Sequence, residues 1–104
     1  MGADLTIMKT GAYFRDSYNS SNLLWQFNLD YWKWFQTLLN EEGNLAPENA
    51  KIILDNLKQK EFIFEQHLSL MTEENQKYFK DKYDKFKKFL NEAIENQSII
   101  ESSI

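Results

Sequence analysis

Residues 13–35, YFRDSYNSSNLLWQFNLDYWKWF, hold nine of the sixteen aromatic residues of the chain and all three tryptophans. Starting in this stretch, Trp32, Phe35 and Leu39 follow one another at steps of three and four residues, the spacing of one face of a helix. A second stripe with the same spacing lies beside it: Tyr31, Trp34 and Leu38. Because large rings bury ~150–250 Å² each, we predict that this segment is helical and fills the centre of the fold.

The second half of the chain has clear helix boundaries. Gly43 and Pro47 separate the aromatic segment from a helix that begins at the proline, and Thr72 is a typical cap for the next helix. In that last helix the apolar residues follow heptad spacing: Phe79, Tyr83, Phe86, Leu90 and Ala93. We therefore predict an all-α fold, a compact bundle of about four helices at about 20–28, 29–42, 47–68 and 73–96.

The two ends of the chain are less regular. Leu5 and Ile7 alternate with polar neighbours, which predicts a short extended N-terminal arm, either a strand or a segment packed on the helices. Residues 97–104, QSIIESSI, are short and rich in serine, and are either a frayed tail or a segment that docks on the helices. The length of 104 residues predicts a single domain that spans residues 1–104.

Composition excludes several classes of chemistry. The chain has no cysteine, which removes disulfides, thiolate metal sites and thiol nucleophiles and favours a cytoplasmic location. Its single histidine, His67, has no neighbours suited to a metal site, and the sequence has neither a phosphate-binding loop nor a nucleophile motif. No apolar run is long enough to span a membrane. We predict a non-enzyme without cofactor or metal and without a membrane association.

Residues 77–88, KYFKDKYDKFKK, contain six lysines and two aspartates, although the whole chain has a net charge of −4. One hypothesis is a nucleic-acid surface, for which the candidates are Lys77, Lys80, Lys87 and Lys88. The spacing favours another interpretation, in which the aromatic residues of the segment are buried. Asp81 and Asp84 lie four residues from lysines and are expected to pair with them. Nucleic acid is therefore not the expected partner.

The aromatic residues of the first third exceed what one small core needs. Those that lie outside the central stripe are candidates for contact with a protein partner: Tyr13, Arg15, Tyr18, Trp25, Tyr31 and Trp34. Arg15 is the only arginine of the chain, and a guanidinium beside tyrosines serves equally as an internal fastening or as an interface anchor. A ligand pocket around Arg15, Tyr13 and Tyr18 is a third alternative.

The opening MGAD, followed by YFRDSYNSSNLLW, resembles the start of small uncharacterised proteins found in bacteria and their phages. The resemblance covers the first quarter of the chain. That group has no assigned activity, so the resemblance implies no catalytic residues, and only a bacterial or phage source and a cytoplasmic setting.

These observations lead to one functional hypothesis and two alternatives. We expect a small helical protein–protein interaction module that binds a protein partner through an aromatic patch. A homodimer is one form that this interaction can take. The first alternative is an inhibitor of a bacterial defence nuclease, similar to anti-CRISPR proteins. The second is weak binding of nucleic acid through the Lys77–Lys88 face.

Overall fold

The computed structural model describes residues 2–104 and contains three α-helices and a four-stranded antiparallel sheet. The predicted all-α bundle is therefore wrong, since the chain is an α+β fold with 51% helix and 17% strand. The strands are β1 (Gly2–Ile7), β2 (Tyr13–Ser17), β3 (Asn44–Leu45) and β4 (Ile100–Ser103). The helices are α1 (Pro47–Gln59), α2 (Glu61–Ser69) and α3 (Glu73–Glu95).

The first and last strands, β1 and β4, lie in the middle of the sheet, whose strand order is β2-β1-β4-β3. Asp4 of β1 is opposite Arg15 of β2 on one side and Ser103 of β4 on the other. The predicted N-terminal arm is thus a central strand. The segment at residues 97–104 docks rather than frays, because Ile100–Ser103 pairs with both β1 and β3.

One face of the sheet is covered by the helices and the other faces solvent. Along β1, Ala3, Leu5 and Ile7 are fully buried, while Asp4 and Thr6 alternate with them on the outer face. On β2 the buried positions are Phe14 and Asp16. The ring of Phe14 stacks on Phe86 of α3 with a centroid distance of 4.6 Å, so α3 lies beneath the β2 side of the sheet.

The helix α3 agrees with the prediction to within one residue. Thr72 caps it by accepting a hydrogen bond from the backbone N–H of Asn75, and its buried face has the expected heptad spacing. The predicted helix at 47–68 begins at Pro47 as expected but divides at Lys60 into α1 and α2. The turn at Lys60 directs α2 toward the aromatic segment, where Phe64 stacks on Phe27 with a centroid distance of 4.6 Å.

The predicted helices at 20–28 and 29–42 are wrong. Helical backbone there is limited to two short 3₁₀ turns, Leu24–Phe27 and Phe35–Leu38. Asn28 has a left-handed conformation with φ of 56° and ends the first turn. The central stripe also differs from the prediction, because Phe35 is buried whereas Trp32 has 51% of its surface exposed.

None of the helices in residues 2–104 combines the length and the apolar character needed to cross a membrane.

Candidate functional site

The outer face of the sheet carries a cluster of three side chains, Asp4, Tyr13 and Arg15, which we call the outer cluster. The guanidinium of Arg15 donates through Nη1 to both carboxylate oxygens of Asp4, at 2.8 and 2.9 Å. The hydroxyl of Tyr13 donates to the same carboxylate. The Tyr13 hydrogen bond and then the Arg15 guanidinium hold the pKa of Asp4 below its ordinary value. The carboxylate is therefore held in its charged form on an exposed surface.

Gly2 makes room for this cluster. A Cβ atom at Gly2 would lie 2.6 Å from the carbonyl oxygen of Asp16 and 3.0 Å from Nη2 of Arg15. Since the first of these neighbours is backbone, the strand itself would have to shift. The missing side chain thus permits the close approach of β2 and lets the guanidinium lie along the start of β1.

The inner face of β2 carries Asp16, which forms a second cluster with Tyr31 and Lys82. We call it the inner cluster. Asp16 is fully buried and its carboxylate accepts hydrogen bonds from the Tyr31 hydroxyl at 2.8 Å and from the backbone N–H of Leu23 at 2.9 and 3.0 Å. The ammonium of Lys82 lies 2.7 Å from the carboxylate and also donates to the carbonyl of Ser21 at 2.8 Å. The cluster therefore joins β2, the aromatic segment and α3.

Tyr31 of the inner cluster and the neighbouring Tyr18 differ in the hydrogen bonding of their hydroxyls. Burial, and next the charge of Asp16, raise the pKa of Tyr31 well above its ordinary value, so that it remains a hydrogen-bond donor. Burial likewise raises the pKa of Tyr18, whose ring lies 5.9 Å from that of Tyr31. The Tyr18 hydroxyl is buried, yet it has no hydrogen-bond partner among residues 2–104. A buried unpaired hydroxyl has an energetic cost and requires an explanation.

Next to Tyr18, the aromatic segment exposes two tryptophans around one carboxylate. Trp25 and Trp32 are 39% and 51% exposed, and the Trp32 ring lies 4.8 Å from the ring of Tyr18. The carboxylate of Asp30 accepts from the indole N–H of Trp25 at 3.3 Å and from the backbone N–H of Trp32 at 2.8 Å. We call these residues, Tyr18, Trp25, Asp30 and Trp32, the tryptophan surface. Hydrogen bonds to Asp30 hold the Trp25 indole and the backbone of Trp32 in place.

A groove of about 440 Å³ runs between β2 and α3. Four of its lining residues come from β2 and four from α3: Tyr13, Phe14, Arg15, Ser17, Tyr78, Asp81, Lys82 and Lys85. The rings of Tyr13 and Tyr78 are 59% and 47% exposed. Three of the lining side chains are cationic and one is anionic. We call this feature the β2–α3 groove.

The lysines of α3 do not pair as the sequence predicted. Across residues 2–104, one ion pair within 4.0 Å joins two residues of α3, Lys87 and Asp84 at 3.5 Å, while Lys82 pairs with Asp16 of β2. Lys87 also lies over the ring of Tyr83, 4.2 Å from its centroid. The other three lysines of the nucleic-acid hypothesis are exposed and have no ion-pair partner within 4.0 Å among the residues that the structure describes: Lys77, Lys80 and Lys88.

The structure separates the six predicted contact residues into different environments. Tyr13 and Arg15 line the groove, while Tyr18 and Trp25 belong to the tryptophan surface. Tyr31 is 1% exposed and belongs to the inner cluster, so it lies on neither of these surfaces. Trp34 is half-buried and packs against the core.

Several residues that matter were missed in the sequence. Trp32 was assigned to the core, and Asp16 and Lys82 were not candidates. On β2 the inward residues Phe14 and Asp16 alternate with outward residues, and this strand pattern was the available signal for the inner cluster. It was hidden because an aspartate at an inward position breaks the apolar pattern of a strand.

No group of three or more potential metal ligands occurs in the part of the chain that the structure describes, residues 2–104. Comparison with known protein families, curated proteins and solved structures found no match in any of the three.

Proposed function

We propose that the protein is a small interaction module of the bacterial cytoplasm, which binds a protein partner through the tryptophan surface. The observation that supports this most directly is the exposure of Trp25 and Trp32, which both donate hydrogen bonds to Asp30, with the Trp32 ring lying against the ring of Tyr18. Single exposed apolar residues are ordinary, but adjacent large rings commonly mark a contact surface. Tryptophan and tyrosine are also the residues that contribute most to binding energy at protein interfaces.

The hydrogen bonds of Asp30 strengthen the proposal. They hold the Trp25 indole and the backbone of Trp32 before any partner arrives, so little conformational entropy is lost on binding. The surface combines apolar rings with a carboxylate at their centre. A protein surface that offers an apolar pocket near a donor group would satisfy both features, whereas a nucleic acid would be repelled by Asp30.

A partner search with a matched pair of variants tests the proposal. A photo-crosslinking amino acid placed at Lys33, beside Trp32, would identify the partner, which is then purified. We expect Trp32→Ala to weaken its binding by about tenfold or more, as for a central interface tryptophan. Ile52→Ala is the control, because Ile52 is 42% exposed but lies on α1, outside the aromatic segment.

The partner can also be a second copy of the chain. In that case sedimentation velocity would show a dimer, and Trp25→Ala or Trp32→Ala would shift the mass toward monomer with an unchanged circular dichroism spectrum. The proposal is contradicted if Trp25→Ala and Trp32→Ala both leave self-association and the binding of the purified partner unchanged.

A further inference from the structure

The β2–α3 groove lies along a strand edge that is open to pairing. β2 is at the end of the sheet and pairs with β1 alone among the strands formed by residues 2–104. An open edge presents backbone N–H and C=O groups that can pair with another extended chain. A helix beside such an edge provides a wall on which alternate side chains of the added strand can rest.

The register of the sheet determines which backbone groups point outward. The backbone N–H of Ile7 donates to the carbonyl of Ala12 at 2.9 Å, and that of Met8 donates to Ile99 on β4 at 3.0 Å. Hydrogen-bonded pairs alternate along an antiparallel ladder, so odd-numbered residues of β1 bond to β2 and even-numbered residues bond to β4. On β2 the groups of Phe14 and Asp16 therefore face β1, which follows from their register with Leu5 and Ala3.

The backbone groups of the odd-numbered residues of β2 point away from the sheet. The N–H and C=O groups of Tyr13 and Arg15 face the open edge, together with the N–H of Ser17. The carbonyl of Ser17 is already occupied, because it accepts from the side-chain amide of Asn22 at 2.8 Å. The open groups thus begin at the end of the groove near Tyr13 and end at Ser17.

The charge of the groove selects among extended chains. Arg15, Lys82 and Lys85 line it against one carboxylate, Asp81, in a chain whose net charge is −4. Arg15 and Lys82 are already paired with aspartates, at 2.8 and 2.7 Å. Lys85 is without such a partner within 4.0 Å in the described residues 2–104, and Lys88 follows it by three positions on the same helix.

We propose that the β2–α3 groove binds an extended acidic segment of a protein, which adds to the edge of β2 as a fifth strand. Addition of a strand to a sheet edge is a recurring mode of peptide recognition, in which backbone bonds supply affinity and alternate side chains supply specificity. Acidic side chains at every second position of the segment lie over Lys85, and the residues between them contact Tyr13 on the outer face. The groove volume of about 440 Å³ suits a segment of a few residues.

The alternating geometry gives a test that needs no change to the protein. The probe is a fluorescein-labelled peptide in which glutamate alternates with valine, and its binding is followed by fluorescence anisotropy. Two further peptides carry N-methyl groups on alternate amides, one on the odd and one on the even set. Strand addition requires that one of them loses binding while the other keeps it. Equal binding of both peptides, or loss of binding by both, overturns the proposal.

Matched variants of the protein locate the binding. We expect Lys85→Glu to weaken the acidic peptide by about tenfold, the effect of one close charge pair at an interface. Lys51→Glu is the control, since it makes the same change in net charge on α1. Tyr13→Pro removes an outward N–H from the strand edge, whereas Tyr13→Ala removes the ring and keeps the N–H. Binding that is reduced more by proline than by alanine supports strand addition.

Three other occupants give distinct results, and each overturns the proposal. A lysine-containing version of the peptide that binds as tightly shows that charge does not select the segment. Single-stranded oligothymidylate that binds and is released by Lys85→Glu identifies a phosphate-binding groove. A dimer that becomes monomeric in Tyr13→Pro but not in Tyr13→Ala shows that the edge is occupied by a second copy.

Discussion

The two faces of the β1–β2 pair each carry an aspartate, a tyrosine and a cation, but in opposite surroundings. On the outer face the residues are Asp4, Tyr13 and Arg15, and on the inner face they are Asp16, Tyr31 and Lys82. The Asp4 side chain is 33% exposed and that of Asp16 is fully buried. The outer cluster connects neighbouring positions of one hairpin, whereas the inner cluster connects three separate segments of the chain.

This difference teaches that the same chemical groups have different roles on the two faces. Water competes for every hydrogen bond of the outer cluster, so its loss leaves no group without a partner. In the inner cluster, the loss of the shared Asp16 carboxylate leaves buried donors without a partner, which is much more costly. We therefore expect the inner cluster to determine stability and the outer cluster to shape a surface.

The largest effect is expected from removal of the buried carboxylate. Asp16→Ala leaves the Tyr31 hydroxyl and the Leu23 N–H without their acceptor, and leaves the Lys82 ammonium with the Ser21 carbonyl but without a counter-charge. We expect the free energy of unfolding to fall by ~3–5 kcal/mol, as for the loss of one partner of a buried ion pair. Asp4→Ala is the matched control and is expected to leave the urea midpoint almost unchanged. Equal shifts of the midpoint in both variants would show that the two clusters do not differ as described.

A smaller difference is expected between the two neighbouring tyrosines. Tyr31→Phe removes a hydrogen bond to a buried carboxylate and should lower the free energy of unfolding by ~1.5–3 kcal/mol. Tyr18→Phe removes a buried hydroxyl that has no partner within residues 2–104, so we expect no loss and a slight gain. Chemical denaturation of both variants checks this. A loss in Tyr18→Phe as large as that in Tyr31→Phe would mean that the Tyr18 hydroxyl is paired after all.

The smallest effect concerns acid pH and the outer cluster. Because the folded-state pKa of Asp4 lies below its ordinary value of 3.8, folding is favoured by the charged carboxylate above that pH. This contribution is lost as the pH falls below about 3.8 and through the folded pKa. Asp4→Asn should therefore show a shallower loss of stability below pH 4 than the unmodified chain, when melting temperatures are compared over the acid range. Parallel curves would contradict the role given to Asp4.

Local signals in the sequence predicted the second half of the chain well. The start of α1 follows from Pro47, and α3 follows from its cap at Thr72 and its heptad of apolar residues. Each of these signals acts within a few residues of the position that it determines. The break at Lys60 was not predicted from the apolar pattern, and it accompanies a contact that local sequence cannot reveal, that of Phe64 with Phe27, more than thirty positions away.

The first third of the chain could not be predicted in the same way. Tyr31, Phe35 and their neighbours have helical spacing, but their rings pack in a layer that two short 3₁₀ turns satisfy better than a helix. Strand β2 was not predicted, because the inward position of Asp16 breaks the apolar pattern of a strand. The ion pair with Lys82 of α3 explains a carboxylate at that position. Of the candidate surface, Trp25 and Tyr18 were foreseen, while Trp32 was assigned to the core because its spacing matched Phe35.

The central position of β4 has a consequence for the order in which the protein folds. β1 cannot complete its second edge until residues 100–103 have been synthesised, because β4 stands between it and β3. Contacts between segments so far apart in sequence form slowly, since a long loop must close first. During synthesis the edge of β1 that later pairs with β4 is therefore unpaired, and intermediates with unpaired strand edges are prone to aggregate.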